Sequence, residues 1–124
     1  MKLIKAAEEK FYWTAHSRQK MRYYRLSESR VKRVFRQPDR KEEGVAPRTI
    51  ALMQRSGTRK NPSEIWMMYQ IDPVKPRAAG AARGQQFNRV KIISAWRYPG
   101  ISPKGKPPIP DEILFELNDE LFAK

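Results

Sequence analysis

Apolar residues recur along this chain with two different periods, and the change between them divides it. Residues 10–15, KFYWTA, are aromatic and β-prone and predict a short first strand. In HSRQKMRYYRL, Met21 and Tyr24, with Ser17, fall at helical spacing, while Arg18, Lys20, Arg22 and Arg25 take the other faces. Ser27 is placed to cap a second helix, with Arg30 at the position where a capping box would carry an acid. Val31, Val34 and Phe35 make the apolar stripe of that helix. Pro38 ends it, because proline disfavours helical backbone in the residue before it. About two residues connect the helices, which predicts a tight hairpin or corner.

From about residue 46 the period shortens. GVAPRTIALMQR carries Ile50, Leu52 and Met53 and breaks at the turn cluster SGTRKNPS. EIWMMYQI alternates, and RVKIISAW is the last strand-like run. These predict successive antiparallel strands at about 46–54, 64–71 and 89–97, with the first strand at an edge. DPVKPRAAGAARGQQFN has no period and predicts a long loop. PGISPKGKPPIP is Pro-rich and extended. DEILFELNDELFA is an amphipathic helix with Ile113, Leu114, Leu117, Leu121 and Phe122 on one face. Its first turn holds Asp111 and Glu112, where the helix dipole favours acids. The expected organisation is one α+β domain at 1–98, in which two N-terminal helices pack on a small antiparallel sheet of about four strands. An extended connector at 99–110 and an acidic amphipathic helix at 111–124 follow. A length of 124 residues suits this single unit.

The tip of the last strand, SAWRYPG, places a guanidinium between two rings. Strand alternation sends Arg97 to one face and Trp96 and Tyr98 to the other. The rings therefore suit the rim of the core, and Arg97 stands alone as a candidate for phosphate.

Charge adds a partner to this picture. The chain holds 26 Lys+Arg against 13 Asp+Glu, a net of +13. Residues 111–124 hold five of the acids and one base, so residues 1–110 carry 25 bases against 8 acids, a net of +17. Such a field favours polyanions, with nucleic acid first and an anionic membrane surface second. No long basic amphipathic helix with a broad apolar face supports the membrane reading. Cysteine is absent and His16 is the single histidine, which argues against thiol chemistry and against Cys- or His-rich metal sites; no metal and no cofactor is expected. No apolar run approaches the ~20 residues that span a bilayer. MKLIKAAEEKFYW has acids where a secretory signal would need an apolar stretch, so a cytoplasmic protein is expected.

Two segments carry a resemblance. FYWTAHSRQKMRYYRLSESRVKRVFRQPD resembles the opening of an uncharacterised family of small toxin-like domains: a Trp/Thr strand, a histidine, a basic helix with Met, then Val-x-x-Val-Phe ending in x-x-Pro-Asp. KIISAWR is similar to the last strand of BrnT toxins, with Trp96 where that motif has a basic residue. Both groups belong to the wider RelE-like fold, and the resemblance covers roughly residues 11–99. It implies a small basic RNA-binding protein, a metal-independent endoribonuclease of a toxin–antitoxin pair, ribosome association and an antitoxin partner. Onto this chain it carries His16, Arg97 and the basic residues of the first helix.

Metal-free RNA cleavage needs a base for the ribose 2′-OH, an acid for the leaving oxygen and cations for the transition state. His16 is the one side chain that titrates near neutrality unaided, and it is the candidate acid or base; its ordinary role would be to cap the helix or anchor the first strand. Arg97 and Lys91 are the candidates for phosphate charge, and Tyr98 for stacking or proton donation. Arg97 has the plainer alternative of a surface salt bridge to Glu64 or Asp39. Residues 18–41 hold ten bases against Glu28 and Asp39, so their signs cannot neutralise each other. Like charges at i,i+4 oppose helix stability. Arg18, Lys20, Arg22, Arg25, Arg33 and Arg36 are therefore the candidate nucleic-acid contacts, and Arg77 and Arg83 in the long loop join them. Two further readings stay open: a non-catalytic nucleic-acid-binding or ribosome-associated protein, and a protein-interaction module with an acidic partner. The acidic last helix could lie over the basic surface as a cover, or simply complete the core.

Overall fold

A computed structural model describes residues 9–46, 48–73 and 88–117. It is α+β: β1 (Glu9–Trp13), α1 (Ala15–Tyr24), α2 (Glu28–Arg36), β2 (Arg40–Glu43), β3 (Thr49–Gly57), β4 (Pro62–Pro73), β5 (Asn88–Pro99) and α3 (Asp111–Leu117). Ser27 caps α2 as its position predicts, accepting the Arg30 N–H at 3.1 Å. Thr14 does the same for α1, accepting from Ser17 N–H at 3.0 Å, while its hydroxyl donates to the Ile92 carbonyl at 2.8 Å. One threonine thus starts α1 and ties it to β5.

The expected antiparallel sheet of about four strands is corrected to a mixed sheet of five, in the order β1-β5-β4-β3-β2. β1 lies at an edge, as expected, but runs parallel to β5, with Tyr12 opposite Lys91. A parallel pair needs a crossover, and everything from α1 to β4 supplies it. The added strand is β2, whose four residues are Arg-Lys-Glu-Glu. Its charges suit an edge that must resist pairing with another chain.

The sheet carries a core on each face. On one, Met21, Leu26, Val31 and Val34 of the α1–α2 hairpin meet Leu52, Ile65, Met67, Val90 and Ile92. On the other, Ala51, Met53, Trp66, Met68 and Trp96 meet Ile113 of α3. Trp66 and Trp96 are register partners, and their rings stack at 6.0 Å and 3°. A bulge sits in β5: Met68 pairs with Ser94 while its neighbour Tyr69 pairs with Ile92, leaving Ile93 extra. The extra residue reverses the parity of the strand. Lys91 and Arg97, an even number of positions apart, therefore point to opposite faces.

The connector forms no ladder and is held by side chains instead. Glu64, 1% exposed, accepts from Ser102 N–H at 3.1 Å, Ser102 Oγ at 2.7 Å and Trp66 Nε1 at 2.9 Å. Arg40 donates to the carbonyls of Ser102 at 3.1 Å and Pro103 at 2.9 Å, and sits 5.0 Å above the Trp66 ring. Trp96 Nε1 donates to the Pro108 carbonyl at 3.1 Å. On α3 Ile113 is buried, but Leu114 is 38% exposed, so the expected apolar face is narrower than its spacing predicts. Leu121 and Phe122 lie outside the described residues, as do Arg77 and Arg83. Among the described residues no helix is long and apolar enough to cross a membrane.

Candidate nucleic-acid interface

The α1–α2 hairpin buries one side and offers the other. His16, Ser17, Lys20 and Met21 of α1 are buried, as are Val31 and Val34 of α2. Arg18, Arg22, Arg25, Arg33 and Arg36 are exposed. Among the described residues Arg18 alone of these five has a carboxylate partner, Glu28 at 3.0 Å. The field they make is felt by Arg30. Its guanidinium donates to Gln54, and its pKa is lowered, first by burial and then by Arg33 and Arg97. Burial is the main cause of that shift, and the neighbouring cations add to it in the same direction.

Aromatic rings line the border of this surface. Arg18 lies 6.0 Å from the Trp13 ring centroid, while Lys32 and Arg36 lie 5.2 and 5.8 Å from that of Phe11. Tyr23, 69% exposed, has Lys20 at 5.7 Å. Cations held over rings, beside rings open to solvent, suit a strand that offers phosphates and unpaired bases together.

The four residues singled out for catalysis are not brought together. His16 is 6% exposed and has a neighbour at each nitrogen: Nε2 lies 3.0 Å from Ser94 Oγ and Nδ1 lies 3.2 Å from Glu116 Oε1. The Ser94 contact is a hydrogen bond, while Glu116 Oε1 lies beside Nδ1 without forming one. His16 thus anchors α1 to β5 and α3. Arg97 Nε donates to the Tyr24 carbonyl at 2.9 Å and Nη2 to the Arg25 carbonyl at 3.4 Å. Arg25 holds left-handed backbone at φ 60°, a costly cap for a residue with a Cβ, and the guanidinium satisfies carbonyls that this helix end leaves exposed. The partner is therefore a helix terminus, and neither Glu64 nor Asp39. His16 and Tyr24 are eight residues apart on one helix, about 12 Å along its axis, so the two candidate groups serve opposite ends of α1. Lys91 lies on the other sheet face from Arg97 because of the bulge. Tyr98 is half-buried against the second core, with Trp96, as alternation predicts.

Lys20, expected among the contacts, is turned inward. Its Nζ lies 3.6 Å from Glu112 and 3.3 Å from Glu116. The acidic last helix both completes the second core, through Ile113, and meets α1 with two carboxylates. Tyr24, whose hydroxyl donates to Glu112 at 3.4 Å, has its pKa raised to about 12, by burial first and then by that carboxylate. Among the described residues no group of His, Cys, Asp and Glu could hold a metal ion. Comparison with protein families, curated proteins and solved structures finds no match.

Sequence reasoning missed Glu64 and Tyr12. Glu64 reads as the polar member of an alternating strand until the connector is seen to fold across it. Tyr12 reads as one of three consecutive aromatics, and only pairing with β5 shows that Arg89 and Lys91 stand beside it.

Proposed function

We propose that this protein is a cytoplasmic RNA-binding protein of RelE-like, toxin-type architecture, contacting RNA through the outer face of the α1–α2 hairpin. The observation that carries the reading is the stripe of Arg22, Arg25, Arg33 and Arg36: exposed, single-signed and without a carboxylate partner among the described residues. Supporting the architecture are a strand, two helices and a sheet in that order, with the first strand beside the last. Binding is favoured over metal-independent cleavage because His16, the candidate acid or base, is buried with Ser94 and Glu116 beside its two nitrogens.

A labelled single-stranded RNA, incubated in EDTA with and without ribosomes, tests this. Intact RNA retained by the protein, with affinity that falls steeply with salt, is the expected result. Cleavage lost in His16→Ala would restore the toxin-nuclease reading. A flat salt response with no retained RNA would favour an acidic protein partner, such as an antitoxin.

A further inference from the structure

The face of the sheet opposite the helices is not wholly taken by α3. Phe11 and Trp13 pack with the first core beside Val90 and Ile92. The residues between them in register, Lys10 with Arg89 and Tyr12 with Lys91, therefore stand on the opposite face, beside Gln70 of β4. None belongs to the second core around Trp66, Trp96 and Ile113. Tyr12 keeps 48% of its surface exposed, and the Arg89 guanidinium lies 5.3 Å from its ring centroid. Lys10 and Arg89 are exposed and Lys91 half-buried. Asp72 is the register partner of Arg89.

We infer that this open half-face, Lys10–Tyr12 of β1 with Arg89–Lys91 of β5, is a stacking platform for a base of single-stranded RNA. The inference rests on the RNA-binding reading and names the strandedness of its ligand. Strand alternation sends Tyr12 to the face away from Phe11 and Trp13, where a tyrosine used for packing would be covered. This one is turned to solvent on a pleated, rigid surface and steadied by a cation on its ring. Adjacent strands are about 4.8 Å apart and alternate residues along a strand about 6.6 Å. A base on Tyr12 thus has cationic side chains on both flanks within reach of its phosphates. Duplex RNA cannot use such a platform, because its bases are already paired and stacked, and extruding one costs a few kcal/mol.

Affinity for a labelled single-stranded RNA and for a duplex of the same length is measured for wild type, Tyr12→Ala, Tyr12→Phe and Lys91→Gln. One stacked base is worth roughly 5- to 150-fold in affinity. Tyr12→Ala should lose that factor on the single strand and almost nothing on the duplex. Tyr12→Phe should restore it, and Lys91→Gln should weaken the single strand by a smaller factor. Unchanged thermal melts show that the half-exposed site leaves the fold intact. Tyr12→Ala without effect, or with equal losses on both RNAs, overturns the platform. Failure of the platform alone would leave the effect of Arg22→Gln and Arg33→Gln on RNA in place. Failure of the underlying reading would show as no loss in those two variants.

Discussion

Replacing Glu64 should unfasten the connector and with it much of the second core. Its carboxylate is 1% exposed and accepts three hydrogen bonds, from Trp66 Nε1, Ser102 N–H and Ser102 Oγ, with Arg40 Nη1 at 3.8 Å. Glu64→Ala leaves these donors without their acceptor, while the Arg40 cation, 11% exposed, loses its more distant carboxylate and keeps Glu42 at 2.9 Å. Leaving a buried donor unsatisfied costs about 1–3 kcal/mol, so three stranded donors together cost roughly 3–5 kcal/mol, a large part of the roughly 5–15 kcal/mol that holds a domain folded. With a urea slope of about 2 kcal/mol/M, the unfolding midpoint should fall by about 2 M. Glu64→Gln keeps one oxygen acceptor but points an amide at other donors, and should fall between wild type and Glu64→Ala. Replacing Arg40 and Glu64 together by Met should cost less than the two single changes combined, with a coupling of about 0.5–3 kcal/mol. A loss below about 1 kcal/mol for Glu64→Ala, or strict additivity in the cycle, would refute the network as the connector's anchor.

Arg97→Ala should cost about 1 kcal/mol in urea unfolding, because the end of α1 loses its guanidinium, and should weaken RNA binding less than Arg22→Gln does. Arg97→Lys should fail to restore stability, since an ammonium cannot span both carbonyls as the planar fork does. Tyr24 supplies a pH dependence: its folded pKa of about 12 exceeds the ordinary 10.0, so folding favours the neutral phenol. That contribution is complete below pH 10, fades as pH rises through about 12, and should vanish from alkaline melting curves in Tyr24→Phe. His16→Ala should destabilise by about 1–3 kcal/mol by leaving buried Ser94 without its partner, with RNA affinity nearly unchanged.

The helices were legible because their signals are local. Ser27, the Val31–Val34–Phe35 stripe and Pro38 each act within one turn, and α2 lies where they place it. β2 was not legible, because Arg-Lys-Glu-Glu has no apolar alternation and becomes a strand only by pairing with Ile50–Met53. The bulge at Ile93 hid in the same way: Ile92 and Ile93 are both apolar, and only the pairing of Met68 with Ser94 and of Tyr69 with Ile92 shows the slip. At the candidate site, ten bases against two acids pointed to the exposed arginines of the hairpin, but not to Lys20 and Arg40, which the fold turns inward. The isolated groups misled. His16 and Arg97 look reactive along the chain, but Ser94 lies 78 residues from His16 and Tyr24 lies 73 from Arg97, and these distant partners decide their roles.

The central claim is that RNA is held by the unpaired arginines of the α1–α2 hairpin. Its direct test is the salt dependence of single-stranded RNA binding by wild type and by the Arg22→Gln, Arg25→Gln, Arg33→Gln, Arg36→Gln variant. Each phosphate contact contributes about −0.7 to the slope of log K against log salt. The account predicts a slope shallower by about 3 in the variant and an affinity lower by two to three decades at roughly 0.1 M salt, with the fold retained. Equal slopes and equal affinities would contradict it.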